Sequence, residues 1–126
     1  MNMKKNTLLS ITILLISINV FAYSGGNGSK TNPYLISSKA DMEELAKNVF
    51  VYGGGQTYAG VYFLLTRDLT NEDDVITTVI GYTGSPNPCF NGVFDGGNHK
   101  IKVNINSQAF TGIFGRIENA TIKNLE

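Results

Sequence analysis

The sequence predicts an all-β fold, a solenoid of stacked parallel β-rungs with one amphipathic helix covering its N-terminal end. Three observations predict it. Phe90-Asn91-Gly92-Val93-Phe94-Asp95-Gly96-Gly97-Asn98-His99-Lys100-Ile101-Lys102-Val103-Asn104-Ile105 reads as strand, glycine-rich turn, strand. Gly112-Ile113-Phe114-Gly115 then repeats Gly92-Val93-Phe94-Asp95 in outline, at a spacing typical of stacked repeats. Only one segment, 38–50, carries a helical apolar stripe, amid several β-like runs.

The chain opens on a leader. Lys4 and Lys5 precede a mostly apolar run from Leu8 to Val20, and Val20-Phe21-Ala22 supplies a cleavage site before Tyr23, so 1–22 is read as a secretory signal peptide. That run is too short and too interrupted by Ser10, Thr12, Ser17 and Asn19 for a spanning helix. Export to the extracellular space or the outer cell surface is the expected localisation. The whole chain of 126 residues balances 10 Lys and Arg against 10 Asp and Glu, and losing Lys4 and Lys5 leaves it slightly acidic. Such a balance argues against nucleic acid as a partner. No apolar run after the leader is long enough to cross a bilayer.

Residues 23–57 are read as a lead-in and capping helix. Tyr23 to Pro33 is polar and glycine-rich, and Pro33 disfavours helix at Asn32. Tyr34-Leu35-Ile36 is a short candidate strand. Ser38 is placed to cap the helix, with Asp41 answering its backbone N–H. Met42, Leu45, Ala46 and Val49 form one apolar stripe, and Gly53-Gly54-Gly55 ends the helix.

Residues 58–126 are read as the first rungs. Gly60-Val61-Tyr62-Phe63-Leu64-Leu65-Thr66 has no polar alternation and is expected to be a strand buried on both faces. Asn71-Glu72-Asp73-Asp74 is an acidic loop, Val75 to Ile80 another β-run, and 84–88 a turn. His99, Ile101, Val103 and Ile105 alternate with Lys100, Lys102, Asn104 and Asn106, one face inward and one wet. The spacing of Ile101 and Ile122 suits one coil, and Ala120 to Leu125 closes it. Glu126 follows Leu125 with no capping segment, so a truncated solenoid is expected.

Taken in order, these motifs resemble the opening of bacterial surface proteins that carry GLUG repeats. Tyr23-Ser24-Gly25-Gly26-Asn27-Gly28-Ser29, then Asn32-Pro33-Tyr34-Leu35-Ile36, match the start. A helix over 38–50 and Tyr58, Gly60, Tyr62, Phe63, Leu64 and Asp68-Leu69 follow, then Phe90, Gly92, Phe94, Asp95, Gly96 and Asn98-His99-Lys100-Ile101. Gly112-Ile113-Phe114-Gly115 and Ile122-Lys123-Asn124-Leu125 resemble the repeat itself, at 111–125. Thr77, Thr78 and Val79 stand where the family has a tryptophan and proline, and Ile113 replaces a leucine. The resemblance implies a right-handed parallel β-helix of pectate-lyase-like shape and a structural or adhesive role.

For chemistry, the residues to weigh are few. Polysaccharide lyases and hydrolases need paired carboxylates or a calcium-binding acid cluster with a base nearby. Asp68, Glu72, Asp73 and Asp74 with Arg67 are the candidates, and their contiguity favours a solvated loop. Asp95-Gly96-Gly97-Asn98 fits a tight turn better than a cation loop, because it offers too few ligands. Cys89 and His99 are the single cysteine and histidine, with no third group to orient a nucleophilic pair. His99 is expected on a packed face and Asn124 at a structural corner. Tyr23, Tyr34, Tyr52, Tyr58, Tyr62 and Tyr82 could supply a sugar-stacking platform or simply pack. The expectation is a non-catalytic module with no catalytic residue, metal or cofactor, and with surface glycans or host proteins as partners. The alternative is the front of a carbohydrate-active enzyme whose catalytic rungs lie beyond Glu126.

Overall fold

The computed structural model describes residues 23–51, 58–82, 88–106, 109 and 111–126. The leader, Tyr52, Gly53-Gly54-Gly55 and the 84–87 part of the proposed turn lie outside the described residues. In order come β1 (Tyr34–Ile36), α1 (Lys39–Val51), β2 (Tyr62–Leu65), a 3-10 turn (Glu72–Asp74), β3 (Val93–His99) and β4 (Thr121–Leu125).

The strands form one sheet in the order β1-β2-β3-β4, parallel throughout. Tyr34, Phe63, Phe94 and Ile122 align across it, as do Leu64, Asp95 and Lys123. The first row faces inward and the second outward, because neighbouring residues on a strand point to opposite faces. Backbone bonds from Ser24 N to Leu35 O (3.0 Å) and Leu35 N to Gly25 O (2.9 Å) cover the free edge of β1.

The expected solenoid is not what the described residues build. They form a single four-stranded sheet with one helix. Outside that sheet, pairing is confined to isolated bridges, Leu69 with Ile101, Ile76 with Val103, Ile80 with Phe114 and Phe90 with Ile117, and an antiparallel one between Ser29 and Asn32. Val75 to Ile80 therefore contributes bridges rather than a strand. The repeat period also fails. Val93 and Phe94 pair with Thr121 and Ile122, whereas Phe114 sits beside Ile80. The glycine–aromatic motifs look alike locally, but long-range pairing decides which segments lie side by side.

Nor is the fold all-β. Met42, Leu45, Ala46 and Val49 of α1 join Ile36, Tyr58, Phe63, Leu65, Leu69, Ile76, Ile80, Phe90 and Phe94 in one core. The helix begins where the capping residues put it: Ser38 Oγ accepts the Asp41 N–H at 3.1 Å. The reciprocal bond is displaced by one residue, since Asp41 Oδ2 accepts from Ser37 N (2.8 Å), not from Ser38. Asp41 is buried, and Ser24 Oγ donates to the same oxygen at 2.6 Å, tying the lead-in to the helix start.

An aromatic chain runs through the interior. Phe63 lies 5.5 Å from Tyr23, 5.6 Å from Tyr34, 5.3 Å from Tyr58 and 5.9 Å from Phe90, ring centre to ring centre. Phe114 continues it, 5.3 Å from both Phe90 and Phe94. These tilted and edge-on contacts are the arrangements that ring quadrupoles favour.

Three further expectations need correction. β2 is not buried on both faces: Phe63 and Leu65 are buried, whereas Tyr62 and Leu64 are half-exposed. And Asp95-Gly96-Gly97-Asn98 is not a turn between strands. It lies inside β3, where the register against β4 shifts between Asp95 and His99. Gly97 and Asn98 have φ of 58° and 59°, so the strand bulges there. A side chain at Gly96 would collide with the Asn124 backbone, and one at Gly97 would come within 2.6 Å of Leu65 O. The strand expected through Ile105 ends at His99, and Val103 is exposed.

Candidate functional site

The acidic segment resolves into two local clusters. Asp74 is buried and held bidentately by Arg67, Nη1 to Oδ2 at 2.8 Å and Nη2 to Oδ1 at 2.9 Å. Arg67 also donates to the carbonyls of Ser37 and Asp68, so it fastens the ends of β1 and β2 to the 3-10 turn. The guanidinium holds the Asp74 carboxyl below its ordinary range. Glu72 and Asp73 point to solvent.

Asp68, one residue from Arg67, faces elsewhere. Its Oδ1 accepts the Lys100 backbone N–H (3.1 Å) and lies 3.0 Å from His99 Nδ1. The backbone bond and, after it, His99 hold this carboxyl below its usual value. His99 is thus part of an Asp–His pair at the surface end of β3 rather than on a packed face, and 34% of its side chain is exposed.

Asp95 stands at the bulge. Its Oδ1 accepts from Gly97 N (2.9 Å) and from Asn124 Nδ2 (3.0 Å), while Lys123 Nζ is 3.5 Å from Oδ2. Asn124 above all, then the Gly97 N–H, lowers its pKa. Asn124, expected at a corner, lies instead within β4, with φ of 53°.

Cys89 is buried, and burial and then Glu118, whose Oε2 lies 3.6 Å from Sγ, push its thiol pKa up. It lines a cavity of about 300 Å³ with Glu118, Asn91 and Asn119. A raised thiol pKa is the opposite of an activated nucleophile, and His99 is not among its partners. Among the described residues no three His, Cys, Asp or Glu side chains gather to hold a metal ion, and no helix is long and apolar enough to cross a membrane.

The tyrosines divide sharply. Tyr23, Tyr34 and Tyr58 belong to the interior aromatic chain, and burial raises the pKa of each. Tyr82 stacks on Phe50 at 5.5 Å. Tyr52 is outside the described residues. Tyr62 alone of the described tyrosines has no ring partner, and its place on the outward side of β2 sets it in a groove of about 300 Å³.

That groove is the candidate site. Its floor is the outer face of the sheet, Tyr62 beside Val93 and Leu64 beside Asp95. Lys30 and Pro33 of the lead-in wall one side, and Lys123 of β4 closes the other. The lead-in is held there by the bond from Tyr62 N to Gly28 O (2.9 Å) and by the bridge between Ser29 and Asn32. An aromatic ring, apolar side chains and a few charged ends in one shallow concavity are what a small polar ligand requires. The sequence reading missed Lys30, Pro33, Val93 and Lys123 as a group. The signal that could have found them is the outward pairing of Leu64, Asp95 and Lys123, which exists only once the register is known.

Comparison with protein-family models, with characterised proteins and with solved structures returns no match.

Proposed function

We propose that the chain is an exported, non-catalytic binding module that engages glycans through the outer face of its parallel sheet. The observation that carries it is Tyr62: an outward aromatic ring with no ring partner, in a groove edged by Lys30, Asp95 and Lys123. Tyrosine offers a flat apolar surface for the C–H face of a sugar, with a hydroxyl at its rim. The ends of Asp95 and Lys123 suit sugar hydroxyls. Export is supported by the leader motif at 1–22, and a surface role by the motif resemblance to GLUG-repeat proteins.

What supports the non-catalytic part is the engagement of Asp68, Asp74 and Asp95, while Glu72 and Asp73 lie in solvent. Asp74 is clamped by Arg67, Asp68 by Lys100 N–H and His99, and Asp95 by Gly97 N–H and Asn124. A general acid needs a raised pKa, whereas all three of these are lowered. The test is a binding screen of the purified chain against immobilised polysaccharides, with reducing ends measured in parallel. Binding that Tyr62→Ala removes, with no new reducing ends, is the expected result. Chain cleavage of any polymer would overturn the non-catalytic assignment.

A further inference from the structure

Resting on that binding role, we propose that the groove selects acidic saccharides, those bearing carboxylate or sulfate groups, and that Lys30 is the residue that reads the charge. The charges in the groove are not balanced. Asp95 already receives two hydrogen bonds from Gly97 N and Asn124 Nδ2, and faces Lys123 at 3.5 Å. Lys30 has no acidic partner among the described residues, yet it lines the same groove. The net character next to Tyr62 is therefore one free ammonium plus one ammonium loosely held by Asp95.

An anionic sugar meets both. Its ring lies on Tyr62, and its carboxylate or sulfate accepts from Lys30 Nζ. Lys123, with 52% of its side chain exposed, can turn one of its three donors to the ligand and keep another toward Asp95. A neutral sugar gains the aromatic contact but nothing from Lys30. A cationic one is repelled. Nucleic acid fits poorly, because its binding rests on many phosphate contacts and this groove has two lysines in a chain with no net positive charge.

Equilibrium binding of the full chain to alginate, chondroitin sulfate and dextran tests the inference. Expected are binding to both acidic polymers and a loss of affinity of roughly fivefold or more between low and high salt, since exposed charges are screened. Lys30→Gln should weaken acidic binding by a similar factor, roughly fivefold, and Lys30→Arg should restore it, because the charge rather than the shape is read. Equal affinity for dextran and alginate overturns the charge selection while leaving the glycan-binding role in place. Binding to none of the three overturns both. Binding to alginate that Tyr62→Ala leaves intact marks plain ionic adsorption and overturns the groove as the site.

Discussion

Adjacent residues of β2 should respond in opposite ways to truncation, and the contrast tests the face assignment on which the site depends. Phe63 is 1% exposed and touches four other rings. Truncating a buried phenylalanine costs about 3–5 kcal/mol, and losing several ring–ring contacts favours the upper part of that span, since each is worth about 0.5–1.5 kcal/mol beyond burial. Domains of this kind have about 5–15 kcal/mol in total, so Phe63→Ala should remove a large fraction of the stability. With about 4–8 °C of Tm per kcal/mol in a small domain, the fall should be about 15 °C or more.

Tyr62→Ala removes a half-exposed ring from the outer face and leaves no cavity inside. Its cost should stay near 1 kcal/mol, a shift of a few degrees. Thermal melts followed by far-UV circular dichroism, and urea titrations analysed at constant slope, measure both. The binding assay should show the reverse ranking, with Tyr62→Ala inactive while folded. If Tyr62→Ala destabilises as strongly as Phe63→Ala, the Tyr62 ring is part of the core and the groove is not a site.

Two more outcomes follow from the titrating groups. Asp68, Asp74 and Asp95 are all held below the ordinary carboxylate value of 3.8. The stability each adds is complete above that value and is lost as pH falls through the lower folded values, so the urea midpoint should drop below about pH 4, and the Asp95→Asn variant should drop less steeply. Cys89, buried and with a raised thiol pKa, should react with a disulfide reagent at pH 8 at least about tenfold more slowly in the native chain than in urea; rapid native labelling would contradict its burial.

The parts of the fold that could be read from the sequence are those fixed by near neighbours. Ser38 caps α1 because its oxygen needs only the N–H of Asp41, three residues away. The stripe from Met42 to Val49 reports its buried side directly through helical spacing. β1 and β4 are short runs bounded by polar segments. β2 was harder: Tyr62-Phe63-Leu64-Leu65 contains no charge, so nothing in the residues distinguishes the outward pair from the inward one. β3 was misread for a different reason. Asp95 accepts the Gly97 N–H in a bulge just as it would in a hairpin turn. The chain continues as a strand because β4 lies alongside, and β4 comes from far along the sequence.

The misread bulge and the missed groove have one origin. Asp95 lies outward in register with Leu64 and Lys123, so the carboxylate that steadies the bulge through Gly97 N and Asn124 is also the one that edges the groove. The glycines that follow it are required by packing, since a side chain at Gly96 would strike the Asn124 backbone. Strand register sets Lys123 beside Asp95 at 3.5 Å, and Lys30 is left without an acidic partner among the described residues. On the proposed binding face Asp95 and Lys123 are set by strand register, while Lys30 is carried on the lead-in. Charge selection should accordingly be altered by substitution at Lys30 with little loss of stability, whereas changes at Asp95 should disturb the β3–β4 pairing and binding together.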